Sequence, residues 1–215
     1  MEQTIGRRLP VIAWSLTAAV LVAAFIAWAQ GFAWQFRGLS SYALFPIFGL
    51  TAFSIMWVQY VIVAIKTRLD VHTEALRRYF EITSFAVLLA IMLHPGLLIW
   101  QLWRDGFGLP PQSYLQHYVA PGMRGAALIG TTALFIFLAF ELRYMFNKRP
   151  WWRYVSYLQD AAIIGIFIHA LKLGTQTQHG WFQMLWWTYG LILVLAIGSI
   201  YLLRYQRAHK AIVSK

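Results

Sequence analysis

Cysteine is absent from the 215 residues. Its absence excludes disulfides, thiolate-bound zinc, iron–sulfur clusters and covalent c-type haem attachment. Charge is scarce too, at 12% of residues, about half of what a soluble domain of this size carries. Acid is scarcer still, with 7 Asp and Glu against 18 Lys and Arg. The net charge of +11 would suit a nucleic-acid partner, but the basic residues flank apolar runs and form no single patch. No nucleic-acid partner is therefore expected. Long polar linkers are lacking, and no internal repeat is visible. No segment alternates with period two, so a β-barrel is not expected.

What the chain does have is apolar length. Hydrophobic residues make up 60% of it. Six segments approach the roughly 20 residues that a helix needs to cross a bilayer. They lie at about 10–29, 42–65, 80–102, 125–146, 154–173 and 181–203. The expected fold is all-α, a single transmembrane domain over residues 1–215 built as a six-helix bundle. The first segment is preceded by Arg7 and Arg8 and closes in AWAQ, which resembles a signal peptide with its cleavage site. It is long enough to span a bilayer, so it reads as a retained helix. The longest joint, Arg104–Arg124, contains Pro110, Pro111 and Pro121 and reads as a structured loop more than a helix.

Lys and Arg set the expected orientation. Fourteen fall on one side: Arg7, Arg8, Lys66, Arg68, Arg77, Arg78, Arg143, Lys148, Arg149, Arg153, Arg204, Arg207, Lys210 and Lys215. Only Arg37, Arg104, Arg124 and Lys172 fall on the other. Both termini should face the cytoplasm, in a multi-pass protein of the inner (plasma) membrane. Trp100, Trp103, Trp151, Trp152 and Trp181 sit at segment ends, where an interfacial belt belongs.

Of six histidines, His72 and His209 fall in cytoplasmic joints, and His117 and His179 in outer ones. Surface placement is the expectation for His117 and His179, with an electron exit or a partner-docking face as the alternative. Only His94 and His169 lie inside apolar helices, where an ionisable side chain marks a functional site by default. His94 lies sixteen residues after Arg78, and His169 sixteen after Arg153. At 1.5 Å per residue both rings stand about 24 Å above a basic foot, at one level in the outer half. Two neutral imidazoles facing one another suit the axial positions of a b-type haem iron. A structural or proton-relay pair is the alternative. Two histidines alone make a poor zinc or non-haem iron site.

Around them, Gly165 lies one turn below His169 and would leave room for a flat macrocycle. Lys172, with Arg104 or Arg124, could meet anionic propionates at the outer boundary. Pro95 frees a carbonyl one turn back that could fix the second nitrogen of His94, or it simply kinks the helix. Asp160 lies seven residues above Arg153. With Glu81 it is a candidate proton or quinol site in the cytoplasmic half. An ion pair with Arg77, Arg78 or Arg153 is the plainer expectation, since an unpaired carboxylate is costly there. Glu141 reads as interfacial, and Thr131 and Thr132 as bonded within the helices. Trp186, Trp187 and Tyr189 read as ordinary packing, with porphyrin contact as the alternative.

The stretches LRRYFEITSFAVLLAIMLHPGLL and RPWWRYVSYLQDAAIIGIFIHALKLG share a basic foot, an apolar rise and a histidine near the outer end. In this, over about residues 40–203, the chain resembles the ferric reductase-like transmembrane domain. That family includes the membrane parts of ferric reductases and NADPH oxidases. It also includes the haem-bearing membrane subunit of bacterial periplasmic methionine sulfoxide reductase. Many members carry a second histidine pair roughly four helical turns deeper. The matching positions here are Phe80 and Glu81, and Val155 and Ser156. The resemblance thus implies one outer haem, ligated by His94 and His169, and an oxidoreductase or its electron-transfer subunit. Electrons would come from a membrane quinol, a separate reductase or another cofactor such as a partner's flavin, and leave for an outer acceptor protein or molecule. A membrane anchor that binds haem to assemble with a reductase is a further reading. The competing class is a small transporter or assembly factor using His94, His169 and Asp160 as a relay, which inverted repeats or broken helices would favour. A retinal protein is not expected, because no lysine lies mid-segment for a Schiff base.

Overall fold

The computed structural model describes residues 2–141, 149 and 151–213, and these contain helices and no strand. The helices are α1 (Glu2–Gln30), α2 (Ser41–Leu69), α3 (Glu74–Arg104), α4 (Gln112–His117), α5 (Arg124–Glu141), α6 (Trp152–Leu173) and α7 (Gly180–Val213). Among the described residues, all of these but α4 are long and apolar enough to cross a membrane, which makes six. The chain is a multi-pass membrane protein by that measure. Arg143, Lys148 and Lys215 lie outside the described residues, as do the side chains of Arg7, Glu141 and Arg153.

The helices overrun the apolar segments at their polar ends. α3 starts at Glu74, six residues before the expected boundary. Thr73 caps it by accepting from Leu76 N–H at 3.2 Å. Arg77 then bridges Glu74 and Glu81, an i,i+3 and i,i+4 set that supports an exposed turn. α2 ends where Asp70 turns left-handed at φ 53° and its N–H closes on Lys66 O. The long joint is less loop-like than its prolines suggested. It holds α4 and a 3-10 turn at Pro121–Met123.

α2 is the centre of the bundle. It packs against α1, α3 and α7, and touches α6. Accordingly residues Leu50 and Ala52 to Val58 are buried on every face, with Ser54 the one small polar member. Its indole is satisfied inside: Trp57 Nε1 donates to Tyr189 O of α7 at 2.8 Å. α5 and α6 form a second, more peripheral hairpin. The outward surface is apolar, with Phe85 70% and Met184 74% exposed, as lipid contact requires.

Cross-links fix which ends lie together. Trp28 Nε1 of α1 donates to Ala43 O of α2, and Trp181 Nε1 of α7 to Gln30 Oε1 of α1. At the opposite end, Arg207 of α7 donates to Thr67 O of α2 at 2.7 Å. Lys66, Arg68, Arg204 and Arg207 thus gather at one end, and His94 and His169 lie towards the other.

Candidate functional site

A cavity of about 910 Å³ opens between the α2–α3 and α5–α6 hairpins. Its wall is apolar, including Phe45, Ile91, Phe137 and Ile166, with Trp186 of α7 reaching in. Residues of the long joint, Pro110 to Met123 in part, cover one end. Tyr118 belongs to that cover. Its ring stacks on Tyr42 at 5.5 Å, and desolvation pushes its phenol above the ordinary range although one edge stays exposed.

His94 and His169 both line this cavity. His94 Nδ1 donates to Phe45 O of α2 at 2.8 Å. His169 Nδ1 donates to Ala126 O of α5, also at 2.8 Å. A carbonyl can only accept, so each Nδ1 carries the proton and each Nε2 keeps its lone pair in the neutral ring. Among the described residues no hydrogen bond reaches either Nε2, and neither is a sealed orphan. The ring centres are 6.4 Å apart, and the planes cross at 84°.

The two histidines sit in matching sockets. Each accepting carbonyl lies four residues before a glycine, Gly49 after Phe45 and Gly130 after Ala126. That glycine faces the ring. A Cβ on Gly49 would fall 2.8 Å from His94 Cε1 and Nδ1, and one on Gly130 2.5 Å from the same atoms of His169. The match continues along α2 and α5 through Ala52 and Ala133, both 2% exposed, and Met56 and Phe137, both 6% exposed. The chain therefore contains a repeated two-helix unit that its sequence does not display. Both units run in the same sense, so the repeat is parallel and not inverted.

Two neutral imidazoles bordering one apolar cavity would be the ligands available there to a single metal centre. A metal–nitrogen bond of about 2.0 Å, with ~1.1 Å from nitrogen to ring centre, puts two collinear imidazole centres ~6.2 Å apart. The observed 6.4 Å matches that spacing. The cavity is within the roughly 300–1,000 Å³ of small-molecule and cofactor sites. No cluster of three or more His, Cys, Asp or Glu occurs among the described residues. A closed zinc tetrahedron would need two more ligands than the pair provides.

The other expected residues are distributed differently. Gly165 does not line the cavity; it faces Ile129, whose Cγ2 would lie 3.0 Å from an added Cβ, and so serves α5–α6 packing. Arg124 and Lys172 also lie outside the lining, each beside a lining residue, Met123 and Leu173. Arg124 Nε donates to Leu115 O at 3.0 Å, and the Lys172 carbonyl accepts from Gln178. The carbonyl that fixes His94 comes from α2 across the interface, and not from the turn before Pro95. Of the aromatic trio, Trp186 lines the cavity, stacked on Phe167 at 6.0 Å, whereas Trp187 points outward and Tyr189 packs on Trp57. Thr131 donates to Ala127 O and accepts from Tyr114 Oη. His117 stacks on Phe107, and His179 is exposed.

Asp160 and Glu81 are not one site. Glu81 is paired with Arg77 on the exposed face of α3. Asp160 instead accepts from Tyr60 Oη of α2 at 2.7 Å and from Tyr201 Oη of α7 at 2.5 Å. Those tyrosines escaped the sequence reading. The available signal was depth: Tyr60 lies six residues before Lys66 and Tyr201 three before Arg204, the same basic end above which Asp160 stands. No family model, curated protein or solved structure matches this chain.

Proposed function

We propose that this is a b-type haem protein of the inner membrane, with both termini cytoplasmic. It carries electrons within or across the bilayer towards an acceptor on the outer side. The observation that carries the reading is the pair of Nδ1-pinned imidazoles, 6.4 Å apart in one apolar cavity. Ligating histidines commonly donate their other ring N–H to a carbonyl, which fixes the tautomer and strengthens the donor nitrogen. The resemblance of the two histidine stretches to the ferric reductase-like domain supports the same assignment. So does the gathering of cations at the end away from the cavity.

In this reading His94 and His169 would hold the iron, and haem bound there would supply one-electron transfer. The chain's own residues do the rest. Phe45 and Ala126 carbonyls orient the ligand rings. Ile91, Phe137, Ile166 and Trp186 exclude water and keep the surroundings apolar. Arg124 and Lys172, beside the cavity, are the cations nearest in sequence to its lining for anionic groups at its rim. Asp160, held by Tyr60 and Tyr201, is the candidate to accept a proton released when a membrane quinol is oxidised in the other half.

An absorption spectrum of the detergent-purified protein, oxidised and then reduced with dithionite, tests this. A sharp low-spin b-type α band is expected in the wild type and lost in His94→Ala and in His169→Ala. A colourless wild type, expressed with haem supplied, would sink the proposal. It would leave the histidines as a packing or relay pair, the reading that the half-buried Asp160–tyrosine cluster favours. The parallel sense of the repeat weighs against the inverted-repeat transporter form of that alternative.

A further inference from the structure

Each imidazole in the cavity is held at two points. One is the Nδ1–H···O bond to a helix carbonyl, and the other is the bare backbone of the glycine one turn further along. Alanine at either glycine would put a Cβ within 2.8 Å of the His94 ring or 2.5 Å of the His169 ring, closer than real contacts allow. A ring so held cannot turn about its Cβ–Cγ bond without losing the carbonyl or striking the helix. The sockets therefore set ring direction as well as ring position, and they set the two planes 84° apart.

Plane direction matters to an iron between two imidazoles. The π orbital of each ring stands perpendicular to its plane and overlaps one of two iron dπ orbitals. Parallel rings act on the same dπ orbital and split the pair. Crossed rings act on one each and leave the pair nearly degenerate. Near-degeneracy in the ferric ion leaves orbital angular momentum unquenched, and magnetic anisotropy is then large.

Resting on the haem assignment, we infer that Gly49 and Gly130 are positioning residues that hold the two ligand planes crossed. They thereby fix a strongly anisotropic low-spin ferric state. The carbonyl bonds act alongside them, since a ring that donates from Nδ1 is a stronger donor at Nε2 and favours the ferric ion.

The test is low-temperature EPR and a redox titration of haem-loaded protein: wild type, Gly49→Ala, Gly130→Ala and Gly198→Ala. Gly198 is the control, because an added Cβ there meets nothing within 4 Å. The wild type should give one isolated low-field feature in place of a three-line rhombic spectrum. Both socket variants should move towards the rhombic or high-spin form and raise the midpoint potential, since a displaced ring loses its carbonyl. Gly198→Ala should overlay the wild type. A haem-loaded wild type with an ordinary rhombic spectrum overturns the inference and spares the haem assignment. Socket variants superimposable on the wild type overturn it too. A wild type that takes up no haem removes the assignment, and the inference with it. Should a socket variant fail to accumulate, the wild-type spectrum still decides.

Discussion

The α2–α3 and α5–α6 hairpins build the same socket in different surroundings. The first is clasped by α1 and α7, and the middle of α2, Ala52 to Val58, is buried on all faces. The second is peripheral, and Phe135 on α5 is 64% exposed. Around the histidine the flanking residues differ: Pro95 follows His94 where Ala170 follows His169, and Phe45 stands where the other hairpin has Ala126. What stays constant is a facing glycine, a carbonyl four residues before it and an imidazole that donates to it. The shared unit is thus a backbone arrangement, and side chains vary around it.

The sharpest way to break the comparison is to remove one ligand. On the proposed haem assignment, His94→Ala and His169→Ala should each abolish the haem band outright, despite their different settings, because neither socket alone would hold a six-coordinate iron. Unequal loss, read from the pyridine-haemochrome content of purified protein, would show that the halves are not equivalent.

The glycines separate the hairpins next. Overpacking costs about 1–3 kcal/mol where neighbours cannot yield. Gly49→Ala should lower the melting temperature of the haem-free protein more than Gly130→Ala, although the Gly130 approach is the tighter one. α2 is clamped on three sides, whereas α5 has lipid to move into. Detergent thermal-shift assays give the order, and the reverse order would refute the clamped-versus-free distinction. Trp57→Phe tests the same clamp without touching the cavity. It leaves the Tyr189 carbonyl without its indole donor, at a cost of about 1 kcal/mol. The α band should persist while the melting temperature falls.

Two smaller effects concern the acids. Asp160→Asn should leave the dithionite-reduced spectrum unchanged and slow quinol-driven reduction ~100-fold, the lower end of general acid–base contributions. Equal rates in stopped flow would remove Asp160 from the electron-entry chemistry. Glu81→Gln should change neither spectrum nor melting temperature, because its partner Arg77 keeps Glu74 and both lie at an exposed helix end.

Apolar length and charge asymmetry made the membrane-spanning helices legible in the sequence. Counting residues from Arg78 and Arg153 brought His94 and His169 to one level, because helical rise is constant. Facing partners were not legible. Gly165 shares a helix face with His169 one turn away, but a helix can turn that face to a neighbour, and here Ile129 receives it. Gly49 and Gly130 belong to other helices than the rings they serve, and only the interhelical packing brings them there. The carbonyl near Pro95 lost to Phe45 O for the same reason. Asp160 stood out in the sequence as an acid within an apolar segment, but its tyrosines come from α2 and α7, a hundred and forty-one residues apart in the chain.

Each socket is complete within its own hairpin, and this has a bearing on biogenesis. Phe45 and Gly49 are synthesised before His94, and Ala126 and Gly130 before His169. At about 5–20 residues per second, His169 follows His94 from the ribosome after roughly 4–15 s. Throughout that interval every residue of the first socket has been synthesised while His169 has not. The α2–α3 socket is thus always the first to be synthesised, and the α7 half of its clasp the last.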